Sequence, residues 1–476
     1  MKILLISDSK TDISIAAINV NIGSKHDPDD LPGLAHLCEH MLHMGTEEYP
    51  QQNNFAEYVS QSGGRINADT HFKFTSYYFN IIPKKLKGAL DRFAQFFIAP
   101  FFRKDLIEKE INNIHSEYNE RLTDDEWRFE QALVKLSIKP DHPYSKLNIG
   151  NKKTLNETPK KDNIDVKDRL KKFYEKYYSA NIMSLCILSK DGLNNLKNMV
   201  IKRFRNVKNK ELPVYSGCPF KDDDFNTVWL HVPIGYIRKL DVTFAFSEKR
   251  EDQMSLKYIK HLLRHKSEGS LLSALKAKSL CNNIEAGDYP VDTNIHFFKV
   301  KFHLTKKGLE DSTDIVEIMF QYINMLKKNE PKKLIYDVIK IQQMSDINNR
   351  YNEKIHCLSV DDISKITCCM QECPMKEIFS KQRAWQSYLI KDLIKEYFTP
   401  QNIRIYIATK ACESETDERE EWYNIKYFKG KIPEGHMKSF NRAADAADSS
   451  TELKLPLKNT FIPMKFDIKN ETNKII

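Results

Sequence analysis

Residues 31–46 read LPGLAHLCEHMLHMGT, which sets His36, Glu39 and His40 in the order H-x-x-E-H. Leu34, Leu37, Met41 and Leu42 form an apolar stripe at helical spacing, and Pro32–Gly33 marks a start. At 3.6 residues per turn, His36 and His40 stand one turn apart on one face. Two imidazoles so placed can reach a single metal ion. Glu39 precedes the second histidine, so its carboxylate can reach a water at that ion and take its proton.

A catalytic zinc ion usually takes three protein ligands and keeps a fourth position open. Residues 105–122, DLIEKEINNIHSEYNERL, read as a helix with Leu106, Ile111 and Ile114 on its apolar side. Glu110 and Glu117 are seven residues apart, two turns along one face. Either completes a His2Glu set, and the spacing alone does not choose between them.

Larger stretches extend the pattern: HLCEHMLHMGTEEYP, GALDRFAQFFIAPFF, EINNIHSEYNE, DEWRFEQ, HPYSKLNIGNKKTL, GSLLSALKAK, EEWYNIKY and LPLKNTFIP. With these, residues 1–465 resemble the N-terminal half of the long-chain members of the insulinase (pitrilysin) family of zinc metallopeptidases. The resemblance implies zinc as cofactor, with His36, His40 and Glu117 as ligands and Glu39 as general base. It implies that Glu110 is a carboxylate orienting a ligand histidine. It also implies that Asn67, in RINADT, is an active-site asparagine just before the strand along which substrate lies. The implied activity is zinc-dependent endoproteolysis of short to medium peptides.

The sequence departs from the family in three places. His43 stands where relatives carry an aromatic or aliphatic residue, and Asp69 where close relatives carry an aromatic. Both changes imply weaker preference for large apolar side chains at the cleavage site and more tolerance of basic ones. The chain also stops where the family's linker would begin. The family's second half closes over the first and supplies an arginine and a tyrosine, for which no counterpart is found here. The expected partners are therefore peptide substrates and either a C-terminal-half chain or a second copy in a homo-oligomer. The alternatives are a noncatalytic peptide-binding or partner-regulating half, and an incomplete gene product.

The 476 residues suffice for two or three domains, and 11% aromatic content fills large cores. The net charge of +9 comes from dispersed lysines partnered by acidic residues, with no basic tract interleaved with aromatics. That excludes a nucleic-acid footprint from the expected functions. Nine cysteines are scattered without a disulfide framework, which favours a reducing compartment, the cytosol before the mitochondrion. Cys368, Cys369 and Cys373 cluster with no histidine at zinc-finger spacing. Cys38 lies inside the metal motif as a small hydrophobe, and its position suggests inhibition by bulky thiol reagents. No signal-peptide pattern and no apolar membrane-spanning run is present, so no membrane partner is expected.

The remaining pattern is α+β. Met1–Ser7 reads as a strand pairing with the alternating Ile18, Val20 and Ile22, and residues 74–82 read as another. Pro83 opens a helix whose Leu86, Leu90, Phe93 and Phe97 face the core, and residues 165–178 form a further helix before a strand at 182–188. Strand pairs alternating with helices give a mostly antiparallel sheet covered on one face by helices.

A break near residues 212–224 separates residues 1–213, the zinc-binding catalytic domain, from residues 214–465. In the second segment, strands at 227–232 and 241–246 precede a helix at 253–265. His261 and His265 there echo the first motif, but Arg264 replaces the glutamate, and a guanidinium is no base. The two segments read as a duplication with chemistry in the first copy only, and with His261 and His265 structural. Residues 281–288 and 293–304 look like the exposed strand with which the family anchors a peptide's N-terminus. Long helices follow through Arg350 and again from Val360, then a strand at 403–409. Residues 443–451 read as a loop, and residues 466–476 as a loose tail at the start of the missing linker.

Overall fold

The computed structural model describes residues 1–136, 145–213, 225–246, 253–292, 295–339, 358–372, 385–447 and 452–457. The first sheet holds β1 (Lys2–Ser7), β2 (Ser14–Val20), β3 (Arg65–Thr70), β4 (Thr75–Ile81) and β5 (Met183–Ser189) in the order β1-β5-β2-β4-β3. Only β1 and β5 run parallel; the other pairs are antiparallel. The expected pairing of β1 with β2 is therefore corrected, because β5 inserts between them. Its seven residues are buried throughout, which suits a central strand, whereas β1 keeps an exposed edge.

The second sheet holds β6 (Thr227–His231), β7 (Arg238–Phe246), β8 (Cys281–Asp292), β9 (Ile295–Leu304), β10 (Ile403–Thr409), β11 (Glu418–Arg419) and β12 (Lys426–Lys431). Its order is β11-β12-β6-β10-β7-β9-β8. From β6 to β8 this repeats the first sheet strand for strand, with one parallel pair, β6–β10, between the first and last strands of the motif. The repeated topology is what a duplicated α+β unit produces.

Seven helices build the layer that carries the site. They are α1 (Leu34–Leu42), α2 (Asn54–Ser60), α3 (Leu86–Gln95), α4 (Lys104–Arg121), α5 (Asp125–Leu136), α6 (Val166–Tyr177) and α7 (Leu193–Phe204). Asp165 caps α6 by accepting from the Asp168 backbone N–H at 3.1 Å. On the inner face of the first sheet, Ala16, Ile18, Tyr77, Phe79, Leu185 and Ile187 pack with Leu37, Met41, Leu90 and Phe93. The alternate residues Ile15, Ala17, Cys186 and Leu188 point the other way, against Ile363 and Met370 of α8 (Val360–Glu372). This second cover comes from far along the chain, so the central strands β2 and β5 are buried on both faces.

The helix at Gln253–Leu263 falls where expected. The expected loop at 443–451 starts too early, since α9 (Glu434–Asp445) runs through Ala443 and Ala444. Those alanines and Phe440 are buried in the second core at helical spacing, and alanine favours helix intrinsically. The long-helix expectation for residues 340–350, the three-cysteine cluster at Cys373 and the tail at 466–476 lie outside the described residues.

The two sheets are joined through α4 and α5. Tyr118, Leu147 and Ile149 pack against Tyr423 and Ile425. Phe129 packs among Trp229, Tyr406 and Tyr427. Asp125 accepts backbone N–H bonds from Ile234 at 2.8 Å and Gly235 at 2.7 Å. Glu126 pairs with Lys239 and Lys301, and Glu130 with Lys301 at 3.0 Å. The helix that carries Glu117 is thus braced by the second half of the chain.

Candidate metal centre

Helix α1 starts at a tight backbone junction. Gly33 sits at φ 95°, in the left-handed region, and a Cβ there would lie 2.4 Å from the Gly150 Cα. Two glycines in contact let residues 149–150 close on the helix start. Asp27 accepts from the backbone N–H of Gly33 at 2.8 Å and of Ala35 at 2.7 Å, which satisfies donors at that end. Leu34, Leu37, Met41 and Leu42 are all buried, as the stripe requires.

The turn of helix then aims both imidazoles at one point. His36 Nδ1 donates to the Ile149 carbonyl at 2.8 Å, and His40 Nδ1 to Glu110 Oε2 at 3.1 Å. Each bond fixes the tautomer that leaves Nε2 free as a ligand. The two Nε2 atoms lie 3.2 Å apart. Glu117 closes the triangle, with Oε2 3.5 Å from His36 Nε2 and Oε1 3.5 Å from His40 Nε2. Ligands at zinc bond lengths in a tetrahedron stand ~3.3 Å from one another. The three side chains therefore fit a zinc ion. Among the described residues they form the sole such group.

Glu110 and Glu117, equivalent by spacing, are separated by geometry. Glu110 is buried and faces the far nitrogen of His40, and Asn113 Nδ2 donates to it at 3.0 Å. Glu117, with its side chain 46% exposed, faces the open side. Burial alone would raise Glu110, but the His40 and Asn113 hydrogen bonds hold its carboxyl below the ordinary value. Burial would likewise lower His40, yet the Glu110 bond and the surrounding carboxylates outweigh it and raise that ring. Burial pushes His36 down to about 3, so it is a neutral ligand at physiological pH.

Glu39 is buried beside the group. Thr70 at the end of β3 donates to its Oε2 at 2.5 Å. Burial raises its carboxyl to about 7, which suits proton exchange near neutrality. All three metal-group residues, Glu39 and Asn67 line one cavity of about 540 Å³ with His43, Asp69 and His71. Asn67 Nδ2 donates to the Tyr78 hydroxyl at 2.9 Å, and that hydroxyl donates to Asp69 Oδ2 at 2.7 Å. His43 packs edge-on against Phe96, and burial lowers it to about 4. A larger cavity of about 860 Å³ behind the start of α1 contains none of the candidate ligands.

One expectation changes. Cys38 is fully buried, and burial pushes its thiol up to about 12, so no thiolate stands ready for a bulky reagent. His261 and His265 have ring centroids 5.4 Å apart, and His265 Nδ1 bonds Ser267 Oγ at 2.8 Å. No third ligand joins them among the described residues. The reading from residues missed the Ile149 carbonyl, Asp27 and Thr70. Only the Gly33 and Gly150 positions hinted that segments distant in the chain meet there.

Comparison with known proteins finds similarity along nearly the whole chain. The model of "Insulinase (Peptidase family M16)" matches residues 2–138, that of the "Peptidase M16 inactive domain" residues 165–343, and that of the "Middle or third domain of peptidase_M16" residues 350–475. The insulin-degrading enzyme of Drosophila melanogaster is 40% identical over 99% of this chain and 47% of its own length. The Homo sapiens enzyme is 37% identical over 98% of this chain and 46% of its own. The crystal structure of pitrilysin superposes with a TM-score of 0.86 at 29% identity, covering 98% of this chain and 49% of that one. A protease from Helicobacter pylori shares the fold at TM-score 0.67 and 19% identity, over 86% of this chain and 96% of that one. The chain spans about half the length of the insulin-degrading enzymes and of pitrilysin. None of the described helices is long and apolar enough to cross a membrane. The chain belongs to the insulinase family of metallopeptidases, peptidase family M16, and is similar to the N-terminal half of insulin-degrading enzymes.

Proposed function

We propose that this chain is a zinc-dependent metalloendopeptidase acting on short to medium peptides. The observation that carries the reading is the convergence of His36, His40 and Glu117 within 3.5 Å of one another, with Glu39 buried alongside. A zinc ion held there supplies Lewis-acid polarisation of a carbonyl and acidifies a water. Glu39 takes the water's proton and hands it to the leaving amine, a task matched by its raised carboxyl. Thr70 holds the carboxylate in place, and Glu110 holds the His40 ring. Asn67 stands at the β3 edge of the cavity, where an extended peptide can lie.

The domain assignment goes with this reading: catalysis in residues 1–213, and support in residues 214–465. Within the second sheet β8 pairs only with β9 among the described strands, and its side chains line a separate cavity of about 740 Å³. That strand is our candidate for holding the distal end of a substrate. The chain matches about half the length of its relatives, and we propose that a C-terminal half, in the same or a separate chain, or a second copy contributes to full activity. Oxyanion-stabilising groups supplied by such a half would be worth roughly 2.7–4 kcal/mol, a factor of about a hundred or more. We place the enzyme in the cytosol. The coverage also supports a second reading, a noncatalytic peptide-binding or partner-regulating half. A quenched peptide assayed with zinc-loaded wild type and Glu39→Gln, each with and without a candidate C-terminal half, decides between them. Hydrolysis lost in Glu39→Gln supports the peptidase. Equal, zinc-independent signals in both support the binding half.

A further inference from the structure

Among the described residues, the cavity around the metal group carries one positive charge that neither the metal nor Glu39 uses. Arg121 ends α4, one turn beyond Glu117, a rise of about 6 Å along the helix. It lines the cavity together with Trp127, Asn148 and Ile149. Its guanidinium carbon lies 4.4 Å from the centroid of the Trp127 ring. That stacking pre-orients the planar fork, so less rotamer freedom is lost when it binds. Among the described residues Arg121 forms no salt bridge. Among the described lining residues it is also the one side chain with a permanent positive charge. The carboxylates of the lining are Glu39, Asp69 and Glu117. Glu39 and Glu117 belong to the metal chemistry, and Asp69 accepts from Tyr78.

We propose that Arg121 is a specificity-determining residue, selecting peptides with an acidic side chain close to the scissile bond by pairing its guanidinium with that carboxylate. This rests on the peptidase reading above. A carboxylate suits the planar donor fork, which can grip both oxygens at once. A bound peptide would also screen the pair from water on one side, leaving Trp127 on the other. Asp69 lies on β3 and Arg121 on α4, so the cleft has opposite charges on two different elements and can read the two sides of a substrate differently.

The test uses zinc-loaded Glu39→Gln chain, which should not turn over, and fluorescently labelled peptides. The peptides differ only by Glu, Gln or Lys at successive positions flanking a cleavage site mapped with wild type. At one position Glu is expected to bind about fivefold more tightly than Gln, the upper end of what an accessible ion pair supplies. Adding Arg121→Gln should abolish that ratio, Arg121→Lys should keep part of it, and Arg121→Glu should turn it into a preference for Lys. The neutral peptide should bind all four alike, which also shows that the variants are folded. An unchanged ratio in Arg121→Gln, or no position with a Glu advantage while neutral peptides bind and are cleaved, overturns the proposal and leaves the peptidase standing. No binding and no cleavage of any peptide overturns the peptidase reading, and the proposal with it.

Discussion

Replacing Glu110 by glutamine keeps the shape of the site and removes one charge from beneath it. The side chain is 3% exposed and accepts from His40 Nδ1 at 3.1 Å and from Asn113 Nδ2 at 3.0 Å. Both donors reach the same oxygen, Oε2. A glutamine oxygen there still accepts from both, but as a weaker, uncharged acceptor. With the amide nitrogen there instead, two donors would face a third. In either case His40 loses the anion that raises its basicity and holds its Nε2 toward the metal point. Loss of such an outer partner costs about 10–100-fold in metal affinity. That corresponds to about 1.4–2.8 kcal/mol. The assay is competition for zinc against a chromophoric chelator, with wild type, Glu110→Gln and Asn113→Ala side by side. Asn113→Ala removes only the second donor and should cost less. Equal zinc affinity in wild type and Glu110→Gln would refute the role given to this carboxylate.

Other outcomes follow from the same structure. Cys38 should resist bulky maleimides in the native protein, and peptide hydrolysis should survive them; modification in native buffer, seen by mass spectrometry, would contradict its burial. Burial works against the charge of Glu126, but Lys239 and Lys301 hold its carboxyl down to about 2. Its stabilisation is therefore present above the ordinary carboxylate value of 4.5 and lost as pH falls from there toward 2. Urea unfolding should show Glu126→Gln less stable near neutrality by at most about 1 kcal/mol, since the carboxylate is partly exposed, with the gap closing in acid. His43 and Asp69 both line the cavity, so a cleavage map should show weak preference for large apolar residues and tolerance of basic ones. A map dominated by bulky apolar residues counts against it.

The helices of the site were legible because their signal is local. The stripe of Leu34, Leu37, Met41 and Leu42 and the spacing of Leu106, Ile111 and Ile114 each reappear as buried faces. The repeated α+β topology followed from the alternation of strands and helices. What stayed hidden depends on contacts between distant segments. Spacing could not choose between Glu110 and Glu117, because both lie on one face; the choice depends on which side of the His40 ring each meets. A backbone carbonyl such as that of Ile149 has no side-chain signature at all. The insertion of β5 between β1 and β2 joins segments about 180 residues apart, and no local pattern encodes it. The cover that α8 lays over the outer face of the first sheet is hidden for the same reason.

The most direct test of the central claim is the metal content of the purified chain by elemental analysis, for wild type and for Glu117→Ala. The account predicts a single zinc ion per wild-type chain, and little in Glu117→Ala after the same dialysis. Wild type that binds no zinc, or a Glu117→Ala chain that keeps as much as wild type, would contradict it.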